Sequence, residues 1–219
     1  MAVTAQTILA RVRTQLIDEL STKRWSDDEL LRWLSDGQRT VVAMDPSTSE
    51  VTDALPLVAG SKQDLPEGSF LFLDVKRNMG ADGATPGRAV TIISRENLDR
   101  TDPNWHASRR SDTTMHYLFD PKQPTTYYVW PPSTGVSYLD VSRSVMPPDF
   151  STLDDVMFVP DIYQTALFDY VMFRAHQKDT DYAAGNDKAQ TYLQLFQMFF
   201  SGTTQGQAAD DPNPKGAAA

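Results

Sequence analysis

The sequence predicts an α+β fold, in which N-terminal and C-terminal helices form a helical bundle around a mostly antiparallel β insertion, followed by an extended C-terminal tail. Three observations carry this reading. Twelve of the fourteen prolines fall between Pro46 and Pro160, whereas residues 1–45 and 161–200 contain none. Proline removes a backbone donor and breaks helix interiors, so the two ends read as helical and the middle as strands and turns. Apolar residues also recur at helical spacing at both ends, and short apolar runs alternate with turn chemistry between them. The organisation that follows is 1–45 for the N-terminal helices, 46–158 for the β-rich insertion, 159–200 for a C-terminal αα-hairpin and 201–219 for an extended arm.

In the first part, Ile8, Val12, Leu16 and Leu20 mark one face of an amphipathic helix from about Thr4 to Leu20. A polar turn follows. Ser26-Asp-Asp-Glu29 then has the pattern of a capping box, with the serine oxygen on a backbone N–H and Glu29 reaching back, while Asp27 and Asp28 favour the positive helix end. Leu30, Trp33, Leu34, Val41 and Val42 continue this second helix. Gly37 lowers its propensity at a point where another backbone can pack closely, and Pro46 closes it.

Six strands are expected in the middle: Leu55–Val58, Phe70–Val75, Ala89–Ile93, Tyr117–Phe119, Thr126–Trp130 and Val136–Ser142. Ala59-Gly-Ser-Lys-Gln, Leu65-Pro-Glu-Gly, Asp120-Pro, Pro131-Pro132 and Pro147-Pro148 supply the turns between them. Ser94 can cap a short helical turn.

Pro160 suits the first turn of a helix, and Ile162, Ala166, Tyr170 and Phe173 then recur at helical spacing. Tyr182, Ala189, Tyr192, Leu193, Phe196 and Phe200 form a second stripe, and the short polar link between the two makes them an antiparallel αα-hairpin. The aromatic residues of both stripes are most simply core, with part of Phe196–Phe200 available to a second subunit. From Ser201 to Ala219 nothing apolar is larger than alanine, so the arm cannot bury enough surface to offset the entropy of ordering itself.

Composition narrows the function classes. No window approaches the roughly 18 apolar residues of a membrane span, and the N-terminus lacks the basic start of a secretory signal, so a soluble protein made in a cytoplasm is expected. With no cysteine there is no disulfide framework, thiolate nucleophile or cysteine zinc site. A net charge of −9 opposes a large nucleic-acid footprint, although a protein that surrounds DNA without binding it benefits from a repulsive wall.

Chemistry is sparse. His106, His116 and His176 lack metal-helix spacing, and Gly80–Gly87 lacks the Lys-Ser/Thr ending of a phosphate loop. No cofactor or metal is expected. Three Asp-Asp pairs, at Asp27, Asp154 and Asp210, could hold an acid and a base, and Asp154-Asp155 is the pair that a carboxylate-dependent hydrolase would use. Arg109-Arg110, with Trp105 nearby, imitates a nucleic-acid patch but in an acidic chain reads as contacts to a protein neighbour, in a ring or at a tail interface.

The stretches Arg24-Trp-Ser-Asp-Asp-Glu-Leu-Leu-Arg-Trp-Leu-Ser-Asp-Gly-Gln38 and Asp161-Ile-Tyr-Gln-Thr-Ala-Leu-Phe-Asp-Tyr-Val-Met-Phe-Arg-Ala-His-Gln-Lys-Asp179, supported by Leu65-Pro, Arg77-Asn78, Asn104-Trp105 and Tyr128-Val-Trp-Pro-Pro132, resemble the head-to-tail adaptor, or connector, proteins of tailed bacteriophages. The likeness covers most of residues 4–200, with Gly37 standing where the family more often has alanine. It implies a non-enzymatic structural part of the virion at the head–tail interface, assembled in the bacterial host cytoplasm. Identical copies, roughly twelve, would form a ring under the portal that continues the DNA channel, lets DNA pass without specific binding, and gives the tail tube or nozzle its attachment site. The resemblance also implies that the C-terminal extension embraces the portal, which points to Gln205, Gln207, Asp210, Asp211, Asn213 and Lys215. Alternatives are a tail-associated carboxylate-dependent hydrolase and a neck or tail-terminator protein.

Overall fold

The computed structural model describes residues 2–18, 23–179 and 183–209, and divides the chain into a helical unit, residues 1–45 with 147–219, and a β unit, residues 46–146.

In the helical unit, α1 (Ala5–Leu16) buries Ala5, Ile8, Leu9 and Val12. It ends four residues earlier than the sequence stripe implies, because Ile17 turns left-handed at φ 54° with its side chain 84% exposed. A β-branched residue is costly there, and the neighbouring Asp18 holds the turn: its carboxylate accepts the N–H groups of Arg24 at 2.6 Å and Trp25 at 3.3 Å, and the Arg13 guanidinium at 2.7 Å. Leu20 lies outside the described residues. α2 (Asp27–Met44) starts as expected, with Ser26 Oγ accepting the Glu29 N–H at 3.2 Å. Glu29 does not close the box; its carboxylate takes Lys178 Nζ at 2.5 Å instead.

Residues 147–158 belong with the helices and not with the β insertion in which the sequence reading places them. Buried side chains of α2 and the open end of α1 hold this irregular segment. Ser35 Oγ accepts the Phe150 N–H at 3.0 Å, and Gln38 Oε1 accepts those of Phe158 at 2.8 Å and Val159 at 3.4 Å. In return the Leu153 and Asp155 carbonyls accept the N–H groups of Gln6 at 2.8 Å and Ala5 at 2.9 Å, which satisfies donors that a helix start leaves free.

After Pro160 a 3-10 turn over Asp161–Tyr163 leads into α4 (Gln164–Lys178); a short helix in the β unit, α3 (Arg95–Thr101), precedes it in the chain, and α5 (Ala183–Ala209) follows. Ile162 is 66% exposed and Tyr163 takes the expected place on the buried face, its hydroxyl donating to Asp45 at 3.0 Å. The buried face of α4, including Ala166, Leu167, Val171, Met172 and Ala175, is packed on α1, α2 and α5. At Gly37 a Cβ would stand 3.1 Å from both Leu167 and Tyr170, so the missing side chain lets α4 pack closely against α2 at this point. α4 and α5 form the predicted hairpin through an aromatic seam, with Tyr170–Phe196 at 5.4 Å and Tyr163–Phe200 at 5.9 Å. Tyr182 lies outside the described residues. α5 continues to Ala209, so the first nine positions assigned to the extended arm are helical; once Ala189, Phe196 and Phe200 anchor a helix, each further residue needs no new nucleation.

The β unit contains two sheets. β1 (Glu50–Pro56), β7 (Tyr138–Val145) and β3 (Ser69–Asn78) pair antiparallel in that order. The second sheet runs β2 (Gly60–Asp64), β6 (Thr126–Ser133), β5 (His116–Phe119) and β4 (Thr91–Ile92), with only β4 and β5 parallel. Alternate residues of both sheets, among them Phe72, Val75, Leu139 and Val141 from one and Tyr117, Tyr127 and Val129 from the other, bury into a shared core, as in a sandwich. Two turn readings are corrected. Gly60–Asp64 pairs as a strand because Gln63 folds back to bond the Val58 N–H and carbonyl, and Pro131-Pro132 lies inside β6, where the register against β2 slips and no proline N–H is needed.

Candidate interaction surfaces

The sites with a chemical look are explained by structure. Asp155 accepts the Ser151 and Thr152 N–H groups at 2.6 and 2.9 Å and the Thr152 hydroxyl at 2.7 Å; these bonds, the Thr152 N–H foremost, hold its carboxyl below the usual carboxylate range. A general acid needs the opposite shift. Asp154 is exposed beside it. Asp82 is likewise held down, to about 2, by the Ala84 N–H and by the Thr85 hydroxyl and N–H, and shapes the Gly80–Gly87 tip. His106 and His116 each place Nδ1 at 2.7 Å from a hydroxyl, of Ser61 and Thr91, and stack on Trp105 and Trp130. His176 stacks on Tyr192, and burial and then Lys188 push its pKa down. Among the described residues no three His, Asp or Glu side chains gather as a metal site.

Of the residues expected at a ring or tail interface, Arg109 and Arg110 are exposed, but Trp105 is 3% exposed. Its indole N–H donates to Asp99 at 2.9 Å and its ring packs with Leu98 and Leu118, so it belongs to a small core under α3 and has no free face for a partner. Gln205 and Gln207 lie on the last turns of α5. Asp210, Asp211, Asn213 and Lys215 are outside the described residues.

Three features were not anticipated from sequence. Arg13 donates to Asp18, to Asp27 and to the Trp25 carbonyl, a network of charged side chains that ties the end of α1 to the start of α2. Asp169 on α4 is 8% exposed; burial pushes its carboxyl up to about 6, with Arg11 opposing. Finally, from Ala189 to Ala209 α5 carries no charged residue, although 22% of the chain is charged. One side of this stretch, Ala189, Phe196 and Phe200, is buried; the other exposes Leu195 (45%) and Met198 (68%) beside Gln190, Thr191 and Gln194. A neutral outward helix face with apolar ridges is cheap to desolvate and suits a protein partner.

The SU10 adaptor protein family matches the sequence over residues 3–216, which is nearly the whole chain. The chain belongs to that family. It is therefore a phage adaptor protein, and the match spans both units and the whole of α5. No curated protein matches the adaptor's sequence. None of its helices is long and apolar enough to cross a membrane, among the described residues.

Proposed function

We propose that this adaptor joins head to tail: copies of it, roughly twelve, form a ring beneath the portal, continue the DNA channel and give the tail its attachment site. The match to an adaptor family across residues 3–216 carries the reading. The neutral outer face of α5 supports it, because a ring of identical subunits needs surfaces that lose water cheaply. The helical unit supplies the ring contacts. The end of α5 and the residues beyond it, Gln205, Gln207, Asp210, Asp211, Asn213 and Lys215, reach the portal. The β unit, with Arg109 and Arg110 on its surface, meets the tail tube or nozzle. The excess of acidic residues keeps the channel wall repulsive to DNA, which slides without being held.

Deleting residues 201–219 tests the arm, since the aromatic seam up to Phe200 remains intact. The truncated subunit should stay folded and lose co-sedimentation with portal rings; full retention of binding would refute the assignment of the arm.

A further inference from the structure

The helical unit carries a second surface that complements the α5 ridge. Between α1 and the start of α2 lies a cleft of about 180 Å³, lined by Gln6, Leu9, Ala10, Arg13, Lys23, Asp27 and Leu153. Leu9, Ala10 and Leu153 make it apolar. Its charged rim is internally neutralised: Arg13 is paired with both Asp18 and Asp27, and Lys23 Nζ sits 2.9 Å from Asp27. The cleft thus presents a neutral, apolar mouth with room for one long apolar side chain. The ridge of Leu195 and Met198 lies on α5, within a stretch that has no charge to strand on burial.

We propose that Met198 of one subunit seats in the α1–α2 cleft of a second copy of this chain, with Leu195 packed against the cleft's rim. The inference rests on the ring reading given above and assigns its contact. A closed ring requires two different, mutually complementary patches on each subunit, one facing each neighbour. Ridge and cleft meet that requirement: they sit on different helices of one unit, both are neutral, and one projects where the other recedes. A charged partner would gain nothing from either surface, because every ion on the cleft rim is already engaged within the subunit.

The chain has no cysteine, so an introduced pair reports the contact without background. Full-length subunits carrying both Ala10→Cys and Met198→Cys, oxidised mildly with portal rings present, should give a ladder of covalent multimers on a non-reducing gel, and each single variant should remain monomeric. In parallel, Met198→Glu should lower the fraction of subunits in rings by about tenfold or more, while the monomer keeps its wild-type circular dichroism. Wild-type rings that form normally while the double variant fails to cross-link, or a single variant that cross-links to itself, would overturn this contact and leave the ring reading in place. A wild-type protein that forms no ring with the portal would overturn the ring reading itself, and this contact with it. If Met198→Glu keeps its ring and loses only the portal, the ridge belongs to the portal interface and the proposal fails.

Discussion

Both units fix irregular chain with buried polar side chains, Gln63 and Asn78 among them in the β unit, but they differ in what carries most of the closure. In the β unit the two sheets close on apolar side chains, and Phe72 stacks on Tyr127 at 4.9 Å with Tyr117 at its edge. In the helical unit the irregular pieces are held by buried polar side chains that bond backbone: Asp18 takes two N–H groups in the α1–α2 turn, and Ser35 and Gln38 take those of Phe150, Phe158 and Val159. The difference teaches where each unit is vulnerable. Truncating an apolar side chain leaves a cavity, whereas removing the Asp18 carboxylate leaves two N–H groups without their acceptor and takes one of the partners of Arg13.

The sharpest contrast is between Phe72→Ala and Asp18→Ala. The first should destabilise by about 4 kcal/mol through lost burial and cavity formation, and the second by about 3 kcal/mol, because Arg13 loses a charged partner and two N–H groups their acceptor. The four tryptophans fall two in each unit, Trp25 and Trp33 against Trp105 and Trp130, so their indole resonances during urea titration show which unit opens. Loss of the Trp105 and Trp130 signals first in Asp18→Ala would break the comparison. Gln38→Leu, which keeps the volume but removes the acceptor for Phe158 and Val159, should cost about 2 kcal/mol. A neutral effect in chemical denaturation would show that water replaces it.

Asp169 gives the smallest effect and the only one with a pH signature. Its folded carboxyl titrates near 6, above the unfolded value of 3.8, so the folded state binds the proton more tightly. Its contribution is therefore most favourable below the unfolded value and declines as pH rises toward 6. Asp169→Asn should match wild type near pH 4 and exceed it by about 1–2 kcal/mol at pH 7–8. A constant difference across that range would deny the burial of the charge.

The helices and the strands with clear apolar runs were legible because their signals are local. The stripe Ile8, Val12, the Ser26 cap and the aromatic repeat along α4 and α5 all point to the element that forms. What escaped depends on partners distant in sequence. Gly60–Asp64 reads as a turn until β6 lies beside it, and residues 147–158 read as the end of the insertion until Ser35 and Gln38, more than a hundred positions earlier, claim their backbone. Trp105 looked like an interface aromatic because an exposed and a buried indole have the same neighbours in sequence; only its bond to Asp99 separates them. The neutral face of α5 was visible in the sequence as an absence of charge, a signal that aromatic periodicity overshadowed.

The central claim is assembly, and mass decides it most directly. Native mass spectrometry or light scattering of the full-length protein, alone and mixed with portal rings, should show subunits gathering on the portal as a complex of roughly twelve copies. A subunit that remains monomeric and leaves the portal mass unchanged would contradict the account.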